Sequence, residues 1–145
     1  MGHMMDLGAY INELGTKARK AAIEMARVDS ATKRDALMRI AEAVEKHSGQ
    51  ILESNARDLA AGRAASLNEA MLDRLTLTEK RITAMARAIA EIADQPDPVG
   101  EVEHSVIRPS GIRVGRMRVP IGVIGIIYEA RPNVTTDAAA LCLKA

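Results

Sequence analysis

Aromatic residues are nearly missing from this chain of 145 residues, which has no Phe, no Trp and two Tyr, Tyr10 and Tyr128. A core without aromatic rings has to be made from Ala, Leu, Ile, Val and Met, and such small side chains suit closely packed helices. So few rings also leave no platform for stacking bases. Charge of one sign is lacking too: the formal net charge is +1. Phosphate-backbone binding needs clustered Lys and Arg, so no nucleic-acid partner is expected. One cysteine, Cys142, excludes an internal disulfide and fits a reducing, cytoplasmic compartment. No run of eighteen apolar residues occurs, so no membrane span or membrane partner is expected. The N-terminus has no signal-peptide pattern. Residues 1–4 read as a cloning remnant before a native start at Met5.

What is present is helical periodicity over the first two-thirds. Leu7, Tyr10, Ile11, Leu14, Ala18, Ala21, Ala22 and Met25 follow helix spacing. Leu37, Ile40, Ala41 and Val44 repeat it after Asp29 and Ser30, which cap helix starts well. Ser48 opens a third helix, which Gly62 is expected to close. A shorter piece covers residues 67–72. Thr76 and Glu79 have capping-box spacing before a stripe of Ile82, Met85, Ala86, Ile89, Ile92 and Ala93.

Beyond Gln95 the character changes. Pro96, Pro98 and Gly100 form a loop that no helix crosses. Val106, Ile107 and residues 112–119 flank a turn at Pro109, Ser110 and Gly111, which reads as a β-hairpin. Residues 121–127 are apolar without alternation, as in a strand buried on both faces of a parallel sheet. A loop over residues 128–133 leads into a last helix, which Thr135 or Thr136 is expected to cap. Strand, loop and helix make the opening of a βαβ unit whose second strand lies outside this sequence.

Four segments, in this order, carry a resemblance: SNARD at 54–58, MLDRLTL at 71–77, DPVG at 97–100 and RVPIGVIGIIYEARPNVT at 118–135, continuing into ALCLK at 140–144. The chain resembles the N-terminal portion of γ-glutamyl phosphate reductases, a branch of the aldehyde dehydrogenase superfamily. The resemblance implies an α/β fold: an N-terminal helical layer, a β-hairpin and the first strand of a Rossmann-like parallel sheet. It divides the chain into the remnant at 1–4, the helical part of a cofactor domain at 5–103, the hairpin of an oligomerisation element at 104–119, and the start of an NADP-binding sheet at 120–145. It implies NADPH-dependent reduction of L-glutamate 5-phosphate to L-glutamate 5-semialdehyde and phosphate, the second step of proline synthesis. Homo-oligomers, and glutamate 5-kinase as a partner, are implied with it. In the family a cysteine thiolate attacks the acyl phosphate before hydride transfer, and the segment carrying that cysteine has no counterpart here.

The loop at 128–133 is the candidate site, because ligands of open α/β sheets bind beyond the carboxyl ends of strands. By the resemblance, Tyr128, Glu129 and Ala130 meet the cofactor through their backbone. Asn133 is the candidate oxyanion-hole donor, against the plainer reading that it caps the helix. Arg131 is the candidate ligand for a phosphate or carboxylate, against an ion pair with Glu129. Cys142 is expected to be a buried small hydrophobe, since no activating partner is near it. His47 and His104 lack companions of metal-ligand spacing. Gly122 and Gly125 are not a dinucleotide fingerprint. Arg108, Arg113, Arg116 and Arg118 read as a solvated hairpin face or subunit contact. From another class comes the alternative of a non-catalytic helical interaction module.

Overall fold

The computed structural model describes residues 6–129 and 131–145. The expected remnant at 1–4 and the candidate Ala130 lie outside the described residues. The chain divides into two units: one holds residues up to Asp29, Asp97–Gly125 and Ala145, the other Ser30–Pro96 and Ile126–Lys144.

In the first unit, α1 runs Leu7–Met25. Asp6 starts it, its carboxylate accepting from the backbone N–H groups of Gly8 at 2.9 Å and Ala9 at 3.2 Å. No residue of α1 is buried, and Leu7, Ile11 and Leu14 are exposed. The hairpin consists of β1, Val102–Ile107, and β2, Arg113–Met117, paired antiparallel. Its turn closes where the N–H of Gly111 donates to Arg108 O at 2.8 Å. Gly111 stands at φ 83, the left-handed region where a side chain is disfavoured. Between Glu103 and Val106 the register slips, and His104 takes up the bulge at φ 49. Arg118 bonds Glu103, with Nε at 3.0 Å, and also pairs with Glu101. The Glu103 hydrogen bond first, then the charges of Glu101 and Glu103, raise its guanidinium pKa above the usual value.

The second unit packs α2 (Ser30–Lys46), α3 (Ser48–Ala64), α4 (Glu69–Leu75), α5 (Glu79–Asp94) and α6 (Pro132–Lys144). All six residues of the expected α5 stripe are buried. Its core joins Leu37 and Ala41 of α2, Ala86, Ile89, Ile92 and Ala93 of α5, and Ala140 of α6. Four of these seven are alanines, which lets the helix backbones approach closely. Lys144 is buried; its Nζ donates to Ala93 O at 2.9 Å, and its own carbonyl accepts from Lys33 Nζ at 3.3 Å. These bonds tie the end of α6 to α5 and α2.

Several expectations are corrected. Gly62 does not close α3, which continues to Ala64; a Cβ on Gly62 would lie 3.0 Å from Leu67 Cδ1, so the glycine serves close packing instead. Thr76 is not the cap of α5. Thr78 is, accepting from Arg81 N at 3.2 Å, while the Thr76 hydroxyl donates back to Leu72 O at 2.7 Å. Neither Thr135 nor Thr136 starts α6, which begins at Pro132, a residue pre-set for a first helical turn. Residues 121–127 form no strand: Ile121 and Ile127 are exposed, and no described residues pair with them. A strand exists only through hydrogen bonds to a neighbour, and none is offered here. Cys142 is exposed rather than buried, because α6 turns Ala140 and Lys144 inward and leaves Leu141 and Cys142 on the outer side.

Candidate functional site

The second unit contains a cleft of about 410 Å3 between the α4–α5 connection and the beginning of α6. Arg131, Pro132, Asn133 and Asp137 form one wall; Arg74 and Arg81 stand among the residues of the other. The sequence placed Arg131 and Asn133 in one loop, and the structure brings both to this cleft. Volumes of this order suit small-molecule ligands.

The start of α6 orients the first wall. Asn133 is the second residue of α6, so its side chain is no helix cap. Its Nδ2 donates to Asp137 Oδ2 at 3.0 Å, one turn on. An amide has two N–H donors, which leaves the second for a ligand. Arg131 is exposed and makes no ion pair or side-chain hydrogen bond among the described residues, so the pair with Glu129 is absent. Tyr128 does not offer its hydroxyl to the cleft: that oxygen lies 2.7 Å from Thr135 Oγ1. Glu129 is exposed and outside the cleft lining. Cys142 does not line it either.

The second wall went unassigned in the sequence, although Asp73, Arg74, Thr76 and Leu77 lie in the segment at 71–77 that carries the resemblance. Asn55, buried at 4% exposure, donates from Nδ2 to Leu75 O at 2.8 Å and accepts from Leu77 N at 2.8 Å. Its amide thus pairs with the backbone as a neighbouring strand would, fixing residues 75–77. Arg81 holds the same turn from the other side: Nη1 donates to Asp73 O at 2.7 Å and to Thr76 O at 2.6 Å, and Nη2 meets the Asp73 carboxylate at 3.1 Å. Asn55 reaches across 20 residues and Arg81 across 5 and 8, through side-chain directions that neither spacing nor periodicity reveals. A shallower depression of about 350 Å3 lies beyond Leu77 and Pro132, with Ser54 and Asp58 on its rim.

Asn55→Ala is expected to cost about 1–3 kcal/mol, because Leu77 N–H and Leu75 O lose their partner in a part-buried position. Urea unfolding should show a lower midpoint at unchanged slope. A midpoint equal to wild type would mean the clasp carries no stability.

Among the described residues, no group of three His, Cys, Asp or Glu could hold a metal ion. Among the same residues, no helix is long and apolar enough to cross a membrane. His47 Nδ1 lies 2.8 Å from Ala43 O at the end of α2, a local contact.

Comparison with known proteins gives a consistent result. No family model matches the chain. A γ-glutamyl phosphate reductase of Geotalea daltonii is 56% identical over 141 residues, covering 97% of this chain and 34% of the relative. The solved γ-glutamyl phosphate reductase of Thermotoga maritima matches with a TM-score of 0.87 at 42% identity, over 91% of this chain and 32% of that one. That of Saccharomyces cerevisiae matches with a TM-score of 0.86 at 29% identity, over 91% of this chain and 34% of that one. The chain therefore spans about a third of the length of the relatives it matches, as an N-terminal portion would. The resemblance read from the four sequence segments is borne out, and so is the α/β class: helices with a two-stranded antiparallel sheet.

Proposed function

We propose that this chain is the N-terminal portion of a γ-glutamyl phosphate reductase. The whole enzyme reduces L-glutamate 5-phosphate to L-glutamate 5-semialdehyde and phosphate, with NADPH as reductant, in the cytoplasm. The observation that carries this reading is the cleft in which Arg131, without a partner among the described residues, stands beside the amide of Asn133.

The chemistry assigned to these two side chains is electrostatic. The acyl phosphate presents a phosphoryl dianion next to a carbonyl. A guanidinium can donate two parallel N–H bonds to phosphoryl oxygens and offset the charge that leaves with phosphate. When a thiolate sulfur bonds to the acyl carbon, the carbonyl oxygen takes up negative charge. The N–H of Asn133 not given to Asp137 is the donor we assign to that oxyanion. The thiolate belongs to a part of the enzyme outside this sequence.

NADPH is assigned to the whole enzyme and not to this chain alone. Dinucleotides bind in a crevice between parallel strands, and the described residues contain no parallel pair. The exposed residues Tyr128 and Glu129 fit one wall of such a crevice at most. Assembly of further copies on the hairpin belongs to the same reading, supported by the exposed Val102, Val106 and Met117. The helical-module alternative accounts for the apolar residues exposed on α1, but it gives Arg131 and Asn133 no task.

The test is an amide-resolved NMR titration of the 145-residue chain. The probe is a phosphonate analogue of γ-glutamyl phosphate in which a methylene replaces the bridging oxygen. Shifts are expected at residues 131–137 and 73–77, and none in β1 or β2. No shift at millimolar probe, or shifts confined to the hairpin, would overturn the assignment of the cleft.

A further inference from the structure

The cleft holds a second guanidinium without a partner among the described residues. Arg74, in the last turn of α4, is exposed and has no ion pair or side-chain hydrogen bond among the described residues. A cation at the C-terminal end of a helix ordinarily serves the free carbonyls and the helix dipole there. That work is already done by others. Asp73 O and Thr76 O accept from Arg81, Leu75 O accepts from Asn55, and Leu72 O accepts from the Thr76 N–H and hydroxyl. The neighbouring carboxylate, Asp73, is taken by Arg81 as well. The backbone on both sides of Arg74 is thus pinned from α3 and α5, while its own charged group stays uncommitted.

We propose that Arg74 is the second anion-binding residue of this cleft, holding the α-carboxylate of a ligand whose phosphoryl group meets Arg131. The inference rests on the reading of the cleft given above and deepens it. Two uncommitted guanidinium groups on opposite walls suit a short ligand with an anionic group at each end, as in an ω-phosphoryl amino acid. Arg131 takes the phosphoryl end because it is two residues from Asn133, the donor assigned to the reacting carbonyl. The amino-acid end then extends toward α4. Discrimination follows: a ligand lacking the α-carboxylate leaves Arg74 without its partner.

The experiment compares two probes by calorimetry and NMR on the 145-residue chain and on Arg74→Gln. One is the phosphonate analogue; the other is the same compound without its α-carboxylate. Wild type is expected to prefer the full analogue by about tenfold, the size of a charge-assisted bond. Arg74→Gln is expected to bind both compounds equally, with affinity for the decarboxylated one unchanged. Arg74 is exposed, so helix content and melting should match wild type. If Arg74→Gln keeps the preference, or weakens both compounds alike, the role assigned to Arg74 is overturned while the cleft stands. If wild type binds neither compound, the cleft reading falls and Arg74 with it.

Discussion

Ile89→Ala is expected to destabilise the helical unit by about 2–5 kcal/mol. Ile89 is fully buried at 0% exposure, in the cluster where α5 meets α2 and α6. Cost at fixed chemistry depends on whether neighbours can collapse into the space left behind. Of the other residues in that cluster, Ala41, Ala86, Ala93 and Ala140 have only a methyl to offer, while Leu37, Ile92 and the adjoining Met38, Val44 and Leu143 carry longer side chains. The alanine methyls hold much of the void open, and inward movement of Met38 or Leu143 sets where in that range the cost falls. Against a typical total of about 5–15 kcal/mol, a loss of this size leaves a marginal fold. Urea unfolding followed by circular dichroism reads it directly. Ile89→Val, removing one methyl, should cost only about 0.5–1.5 kcal/mol. A loss below about 1 kcal/mol for the alanine variant would mean that the helices close the gap, which close-packed alanine contacts argue against. The substitution should also weaken the cleft, since α5 supplies Arg81 and α6 supplies Asn133.

The alanine-rich core explains why the helical part was legible. Every residue of the α5 stripe falls on the buried side because apolar periodicity and burial are the same fact seen twice. The hairpin was legible from Gly111, since few residues other than glycine sit easily at its φ of 83. Where reading failed, the deciding partner lay outside the element being read or was lacking. Gly62 looks like a helix stop until Leu67 and Leu72 are seen packed on it. Residues 121–127 carry the composition of an interior strand, but composition supplies no hydrogen-bond partner. The site was half legible. Arg131 and Asn133 declared themselves by following an apolar run, whereas Arg74 became visible only once Asn55 and Arg81 were seen to have taken the nearby carbonyls.

The chain by itself is expected to show no turnover with L-glutamate 5-semialdehyde, phosphate and NADP. The chain has one cysteine, Cys142. A nucleophilic thiol needs a group that lowers its pKa and a position beside the reacting carbon. Cys142 is accessible, but it does not line the cleft. It lies near the C-terminal end of α6, while Asn133 stands at the beginning, nine residues or about 13 Å along the helix by its rise per residue. No nucleophile can bridge that separation, since reacting atoms must approach to about 3–3.5 Å. Losing covalent catalysis altogether removes orders of magnitude in rate, more than any single substitution in the cleft. Spectrophotometric assay of nicotinamide reduction should give the uncatalysed rate for wild type and for Cys142→Ser alike. Turnover that Cys142→Ser abolishes would move the nucleophile onto α6 and displace the assignment of Asn133. Turnover that survives Cys142→Ser would require chemistry without a thiolate, and the acyl-transfer reading of the cleft would have to be abandoned.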